Sequence, residues 1–319
     1  MLSSSSETLA IGIDVGASNT KIGLVDSRAR LLDHHVLPSH LEGSDPTPFL
    51  EMISAVIRQY TPARAVQGIG VSLCCLVNAE HTGALLSVNA PALNGLNIQQ
   101  ALHDRFGCAV QVLNDVQAYA LAEYHHGAGR GAERLLCLAL GTGLAIAVIL
   151  HGRCYETWGG VPADAGRIIL QPEAEARCNA GVRGSAEALC GVAQIERLAR
   201  AAGGDETLSA RQVIAAAREQ SDERAVQVMG EIGGHVGHLL ALLSPVYFPQ
   251  RILVTGGTAE AGEPLFRAIR ARYATLIGDY MTELARLERG EARPVEILKG
   301  GLGPEASILG AAWGFLQNG

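Results

Sequence analysis

Two stretches of the sequence follow one plan. Residues 9–26 (LAIGIDVGASNTKIGLVD) run apolar, turn through the small residues Gly16-Ala17-Ser18-Asn19-Thr20, and run apolar again. Residues 135–150 (LLCLALGTGLAIAVIL) do the same around Gly141-Thr142-Gly143. Each reads as a β-hairpin. The recurrence makes the chain internally duplicated at the level of strand, phosphate-sized turn and strand.

Between and after the hairpins, strand and helix patterns alternate. Apolar residues at helical spacing occupy 49–60, a buried strand covers 66–77, and a helix over 98–106 ends at Gly107. A short strand at 109–113 runs through Asn114-Asp115 into a helix over 116–125. Residues 159–191 are Gly-punctuated and weakly periodic, the pattern of a long functional loop. Helices follow at 193–201, 208–218 and 225–243, the last stopping before Pro245, then a strand at 251–254 and helices at 264–276 and 306–316. This alternation predicts an α/β fold, a layered sheet with helices outside.

Composition narrows the function classes. The chain has 319 residues, 48% hydrophobic, 18% charged and a net charge of −7, with 38 glycines. That is too apolar for disorder and long enough for one or two compact domains. An acidic balance repels phosphate backbones, and Arg267, Arg270, Arg286 and Arg289 are interleaved with acids, so nucleic acid is not an expected partner. Residues 1–10 are Ser-rich without the basic and apolar regions of a signal peptide. The longest uncharged run, 135–150 between Arg134 and His151, falls short of the ~18–20 residues of a membrane span. Seven cysteines lack a disulfide spacing and fit a reducing compartment, which places the protein in the cytoplasm with no membrane partner. Cys74 and Cys75 point to opposite faces of an extended segment and make poor co-ligands. His235 and His238 share a helical face without the further ligands of a metal site.

The chemistry-bearing positions sit at the turns. Backbone amides in turns lined by Gly, Ser and Thr bind anionic oxygens, and two such turns suit a polyphosphate. Asp14, ending the first strand, is placed to hold the water shell of Mg²⁺. Asp115, at a strand-to-helix junction, is either a general base for a hydroxyl or the N-cap of the helix that follows.

The ordered set Asp14-Val15-Gly16-Ala17-Ser18-Asn19-Thr20-Lys21, Leu113-Asn114-Asp115 with Ala118, Ala122 and Glu123, Gly141-Thr142-Gly143, Leu253 to Gly257, and Leu302-Gly303 to Gly310-Ala311-Ala312 resembles the ROK (repressor, open reading frame, kinase) family of sugar kinases and regulators, of the actin-like ATPase superfamily, over nearly the whole chain. The resemblance implies two ribonuclease-H-like domains with a cleft between them, and a homodimer. The smaller domain would take residues 1–113 plus 305–319 and the first phosphate motif; the larger, residues 114–304, the second phosphate and adenosine motifs. Asp115 would deprotonate a sugar hydroxyl, commonly the 6-hydroxyl, as it attacks the γ-phosphate of ATP, with Asn114 and Asn89 contacting the same sugar. Asp14, Gly16, Ala17, Ser18, Asn19 and Lys21 would serve the phosphates and Mg²⁺ from one side, and Gly141, Thr142 and Gly143 from the other. Gly256 and Gly257 would admit the nucleotide, while Gly233 and Gly237 either do the same or pack on a neighbouring helix.

One segment departs from the pattern. Many members carry Gly-Glu-x-Gly-His and then Cys-x-Cys-Gly-x-x-Gly-Cys-x-Glu, whose His and Cys hold a structural zinc. Here stand Ala163-Asp164-Ala165-Gly166-Arg167 and Cys178-Asn179-Ala180-Gly181-Val182-Arg183-Gly184-Ser185-Ala186-Glu187, keeping one ligand of four, Cys178. Arg167 has no lone pair for a metal and Ala180 no ligand atom, so no structural zinc is expected. Arg167 would pair instead with Asp164 or Glu187. By resemblance Asp164, Arg167 and Glu187 also border the sugar. Two readings follow: the acceptor is an amino-modified, acidic or rearranged hexose or a cyclitol, or Arg167 is a structural replacement for zinc. The function expected is an ATP- and Mg²⁺-dependent sugar kinase. The rival is a non-catalytic sugar sensor without a DNA-binding domain, since only about a dozen residues precede Asp14. A dehydrogenase is disfavoured, because no G-x-G-x-x-G opens a helix after an early strand.

Overall fold

A computed structural model describes residues 8–61, 66–87, 90–203 and 207–317. In chain order these form β1 (Leu9–Val15), β2 (Asn19–Asp26), β3 (Leu31–Pro38), α1 (Thr47–Tyr60), β4 (Val66–Leu73), β5 (Leu76–Val77), β6 (Ala84–Leu86), α2 (Ile98–Phe106), β7 (Ala109–Asn114) and α3 (Asp115–His126). Then come β8 (Arg134–Leu140), β9 (Leu144–Leu150), β10 (Arg153–Tyr155), α4 (Ala186–Cys190), α5 (Val192–Ala201), α6 (Ala210–Glu219) and α7 (Glu223–Tyr247). The chain ends with β11 (Arg251–Thr255), α8 (Glu263–Tyr273), α9 (Asp279–Arg289), β12 (Glu296–Lys299) and α10 (Ala306–Trp313).

Two compact units emerge: Met1–Arg130, Cys154–Pro162 and Gly301–Gly319 in the first; Gly131–Arg153 and Ala163–Gly300 in the second. The division follows Arg130 rather than residue 113, because α3 packs on α10 within the first unit, and it also gives that unit a short segment from mid-chain.

Each unit carries a five-stranded sheet of the same plan, with orders β3-β2-β1-β4-β7 and β10-β9-β8-β11-β12. In the first, β1 pairs antiparallel with β2 and parallel with β4; in the second, β8 pairs antiparallel with β9 and parallel with β11. The duplicated hairpins are therefore the same part of two equivalent sheets. Strands covered on both faces need apolar residues at nearly every position. Leu9, Ala10, Ile11, Ile13 and Val15 of β1 and Leu135, Leu136, Cys137, Leu138 and Leu140 of β8 are all buried.

One face of the first sheet packs on α1, through Phe49, Ile53 and Ile57 against Ile11, Ile13 and Val71. The other receives α10, whose Ile308 and Ala312 lie with Ala10 and Val25. This helix sits close enough to touch backbone: a Cβ on Gly12 would run into the Ile308 carbonyl, and one on Gly70 into that of Ala311. On its far side α10 meets α3, where a Cβ on Gly310 would overlap the backbone of Ala118. The core of the second unit joins Leu136, Leu138, Ile146, Ile252 and Val254 to Ile214, Met229, Val236, Leu240 and Leu265 of its helices.

Some elements differ from the sequence reading. Helix α7 continues through Pro245 to Tyr247. A proline inside a helix costs about 3 kcal/mol through a lost bond and a clash. Here the last turns are held from outside: Leu243 and Ser244 are buried, and Ser244 Oγ donates to Leu240 O at 2.8 Å and shares a hydrogen bond with Tyr273 OH at 2.9 Å. Residues 159–191 are less loop-like than expected, since they contain a 3-10 turn at Ala165–Arg167 and α4. Helix α8 passes through a π-turn at Ala274–Gly278 into α9, and neither was anticipated. No described helix is long and apolar enough to cross a membrane.

Gly310→Ala is expected to lower the unfolding free energy by about 3 kcal/mol, the upper part of the usual overpacking cost. Gly230→Ala in α7, where nothing lies within 4 Å of the added Cβ, is expected to raise it by about 0.5–1 kcal/mol. Urea denaturation of both variants checks the opposite signs.

Candidate functional site

In the first unit the β1–β2 turn is fixed from below. Gly16 N donates to Asn19 O at 3.1 Å, Ser39 Oγ to Gly16 O at 2.7 Å, and Ser39 N to Ser18 O at 3.0 Å. Ser18 and Asn19 stand exposed, Gly16 and Ala17 partly so. A Cβ on Gly16 would lie 2.8 Å from Asn19 O, so the tight turn needs glycine there. Asp14 and Lys21 face each other across the hairpin, with Lys21 Nζ 3.2 Å from Asp14 Oδ2 and 2.7 Å from Pro304 O. Ser72 Oγ donates to the other Asp14 oxygen at 3.0 Å.

The β7–α3 junction resolves the alternative posed for Asp115. The cap is Asn114: its Oδ1 accepts from Val116 N at 3.0 Å, and Gln117 Oε1 reciprocates on Asn114 N at 3.1 Å, a capping box. Asn114 Nδ2 donates to Cys75 O at 2.8 Å. Both polar atoms of the Asn114 side chain thus have protein partners, and they hold the junction where the next residue begins the helix. Asp115, freed from capping, accepts from Val116 N at 2.8 Å. Burial, and then the nearby Asp14 carboxylate, push Asp115 up to about 7. A carboxyl poised there suits proton abstraction at neutral pH.

Cys74 and Cys75, read from sequence as small hydrophobes, end β4 beside this acid. Burial and then the Asp115 charge push both thiols up to about 12. At the far end of α3, buried Glu123 accepts from Tyr119 OH at 2.9 Å, Leu302 N at 2.7 Å and Ala128 N at 2.8 Å. Asn89 lies outside the described residues.

In the second unit, Gly141-Thr142-Gly143 turns between β8 and β9, with Gly141 N donating to Gly143 O at 3.0 Å. Glu187 backs the turn: its Oε2 accepts from Leu144 N at 3.2 Å and would lie 2.7 Å from a Cβ on Gly143. The other Glu187 oxygen is ion-paired with Arg167 Nη1, whose Nε lies 3.5 Å from Asp164 Oδ2. Arg167 therefore joins both carboxylates that the sequence offered it. Around Cys178 the loop is closed by its own backbone, Cys178 N donating to Val182 O and Gly181 N to Cys178 O. Ser185 caps α4, its Oγ accepting from Ala188 N at 3.3 Å.

Gly256, at φ +88°, brings β11 against the Leu140 carbonyl, while nothing crowds Gly257. Gly233 and Gly237 serve packing, since added Cβ atoms would meet Leu265 O at 2.6 Å and Ile269 O at 2.5 Å on α8. Glu231 lies 4.0 Å from His235, a carboxylate the sequence reading did not place there. Among the described residues no three His, Cys, Asp or Glu side chains are grouped to hold a metal.

The ROK family profile matches residues 10–318. A glucokinase of Thermotoga maritima is 26% identical over 320 residues, covering 95% of each chain. The DNA-binding transcriptional dual regulator NagC of Escherichia coli is 26% identical over 82% of this chain and 66% of its own. A ROK family glucokinase from Streptomyces griseus, solved in complex with glucose and AMPPNP, superposes with a TM-score of 0.77 at 26% identity, covering 95% of this chain and 98% of its own.

The raised pKa has a cost in stability. Between pH ~4 and ~7 the folded chain keeps the Asp115 proton that the unfolded chain has lost, so stability falls as pH rises and levels off above 7. Asp115→Asn removes that cost. Its stability gain over the parent is expected to be near zero at pH 4 and on the order of a few kcal/mol at pH 8, checked by denaturant melts at both pH values.

Proposed function

The chain belongs to the ROK family, and from that we propose that it is a carbohydrate kinase transferring the γ-phosphoryl group of ATP to a hexose 6-hydroxyl, with Asp115 as general base. The observation that carries the reading is the Asp115 carboxyl, released from capping by Asn114 and pushed up to about 7. Glucokinase relatives spanning nearly the whole chain support it.

In this reading the acceptor oxygen attacks the γ-phosphorus in line, the bond to the β-γ bridging oxygen breaks, ADP leaves, and the hydroxyl proton passes to Asp115. Positioning and charge neutralisation provide most of the rate in phosphoryl transfer. The two turns, Gly16 to Asn19 and Gly141 to Gly143, offer backbone amides to the phosphates, and Gly256 and Gly257 leave space for the nucleoside. A partly exposed carboxylate beside a phosphate turn fits Mg²⁺, which retains most of its water, so Asp14 would hold it through that shell. Bound there, the ion neutralises phosphate charge. Lys21, paired with Asp14, balances that carboxylate before the nucleotide arrives.

Arg167 decides between the two acceptor readings. Its charge is answered within the protein by Glu187 and Asp164. That supports the structural role and an uncharged hexose, with glucose the first acceptor to try. Asn114 acts on the sugar mainly through Asp115, by fixing the junction. The loop around Cys178 is held by its hydrogen bonds and the Arg167 pairs, without zinc. A homodimer with no nucleic-acid partner belongs to the same reading.

With Mg²⁺-ATP, sugar-dependent ADP release is expected to fall by about a thousandfold or more in Asp115→Asn. In the parent, kcat/KM for the sugar is expected to fall tenfold per pH unit below about 7, because the free enzyme then carries a protonated base. Full activity in the variant, or a flat profile from pH 5 to 8, removes Asp115 from this role. Protein purified from zinc-supplemented medium is expected to hold less than about 0.1 equivalents of zinc by elemental analysis, with a melting temperature unmoved by chelator; stoichiometric zinc overturns the reading of the loop.

A further inference from the structure

Trp158 is the most exposed aromatic side chain of the first unit, with 65% of its surface open. Its placement is built. Trp158-Gly159-Gly160-Val161 is a tight turn closed in both directions, Trp158 N to Val161 O and Val161 N to Trp158 O, with φ of +63° at Gly159 and +73° at Gly160. Two consecutive positive φ values make a type I′ turn, which two glycines adopt without strain. The flanks are tied down by Thr157 N donating to Val161 O at 3.0 Å and by Thr157 Oγ1 reaching Pro162 O at 3.2 Å. His81 Nε2 stands 3.2 Å from Glu156 Oε2 and fixes the approach to the turn.

The turn is docked against the residues that set the base. Gly159 O accepts from Val77 N at 3.2 Å. A Cβ on Gly160 would lie 3.1 Å from Gln117 Oε1 and 3.7 Å from Asn114 Cβ, the residue preceding Asp115. Gly159 presses on the Leu76 side chain at 3.0 Å, and Leu76 pairs directly across β5–β6 with Leu86. Opposite residues of an antiparallel pair share a face, so Leu76 and Leu86, the latter 62% exposed, extend the surface beside Trp158. A rigid indole and two leucines thus form an apolar shelf continuous with the Asn114–Asp115 junction.

We propose that this shelf is a subsite for a second pyranose ring, so that the enzyme accepts disaccharides as well as free hexoses. The proposal rests on the kinase reading and names its acceptor class more closely. A pyranose ring is polar at its rim and apolar on the face carrying its axial C–H groups, and such a face stacks on an aromatic side chain held in place. Phosphorylation at the 6-hydroxyl leaves the anomeric carbon, where a second ring attaches, at the other end of the first. The turn is ordered by its own hydrogen bonds, so little motion needs to be lost on binding. The reaction is disaccharide plus ATP giving disaccharide 6-phosphate, ADP and a proton.

The test compares glucose with maltose, cellobiose and trehalose as acceptors for the parent, Trp158→Ala and Trp158→Phe. At least one disaccharide is expected to be phosphorylated. Its KM should rise tenfold or more in Trp158→Ala and return to within threefold in Trp158→Phe, while the glucose KM stays within twofold throughout. The chain has two tryptophans, Trp158 and Trp313, so Trp313→Phe leaves the shelf residue as sole reporter. Its emission should shift to shorter wavelength on titration with the same disaccharide, saturating near the KM. Turnover of glucose without any disaccharide, together with unmoved emission, overturns the subsite. Emission that follows protein concentration and ignores sugar assigns the shelf to a second copy of the chain and overturns it equally. If no sugar yields ADP the kinase reading fails, and the emission titration still decides whether saccharide reaches Trp158.

Discussion

Helix α3 is fastened at both ends by buried polar groups, and the chemistry of the first unit depends on those fastenings. At its start the Asn114 side chain satisfies Val116 N and reaches the Cys75 carbonyl, while Gln117 returns a bond to Asn114 N. At its end the fully buried Glu123 carboxylate receives three donors. A buried charge is costly unless its lone pairs are filled, and here they are filled by the backbone of segments on either side. The helix has no freedom to slide or rotate, so Asp115 stays one residue inside its first turn. The same constraint lets a carboxyl remain near Asp14 and away from water, the origin of its raised affinity for a proton.

Much of this was legible from sequence. Both hairpins were readable because their turns contain only small residues and their strands are apolar without interruption. Helix α2 matched residue for residue, since Asn97 caps it and Gly107 stops it in the left-handed conformation. The pairing of Arg167 with Glu187 or Asp164 followed from charge alone, once the alignment left a guanidinium where a metal ligand usually stands.

The remainder failed for identifiable reasons. Strand β3 carries mostly exposed and partly exposed residues, and β12 is similarly open, so neither shows the apolar signature of the strands inside the sheets. Pro245 argued for a helix end, and tertiary packing of Ser244 on Tyr273 overrode it. Whether Asn114 or Asp115 would cap α3 was beyond local sequence, because both residue types favour that position. The Gly159-Gly160 pair was a turn signal in plain view, yet it was absorbed into a loop taken to begin there, which separated Trp158 from the turn that holds it.

The chain passes between the two units at Arg130, Arg153, Pro162 and Gly300. Neither unit is a continuous stretch of sequence, even though each repeats the sheet of the other. The ancestral duplication suggested by the hairpins has thus been sewn together by exchange of segments. A recombination event that swapped everything before residue 131 for a homologous piece would inherit a first unit without its own α10 and without the turn bearing Trp158. Inheritance of this protein is consequently all or nothing: variation that preserves its function must arise by substitution within the whole, because no cut of the gene yields a self-sufficient half.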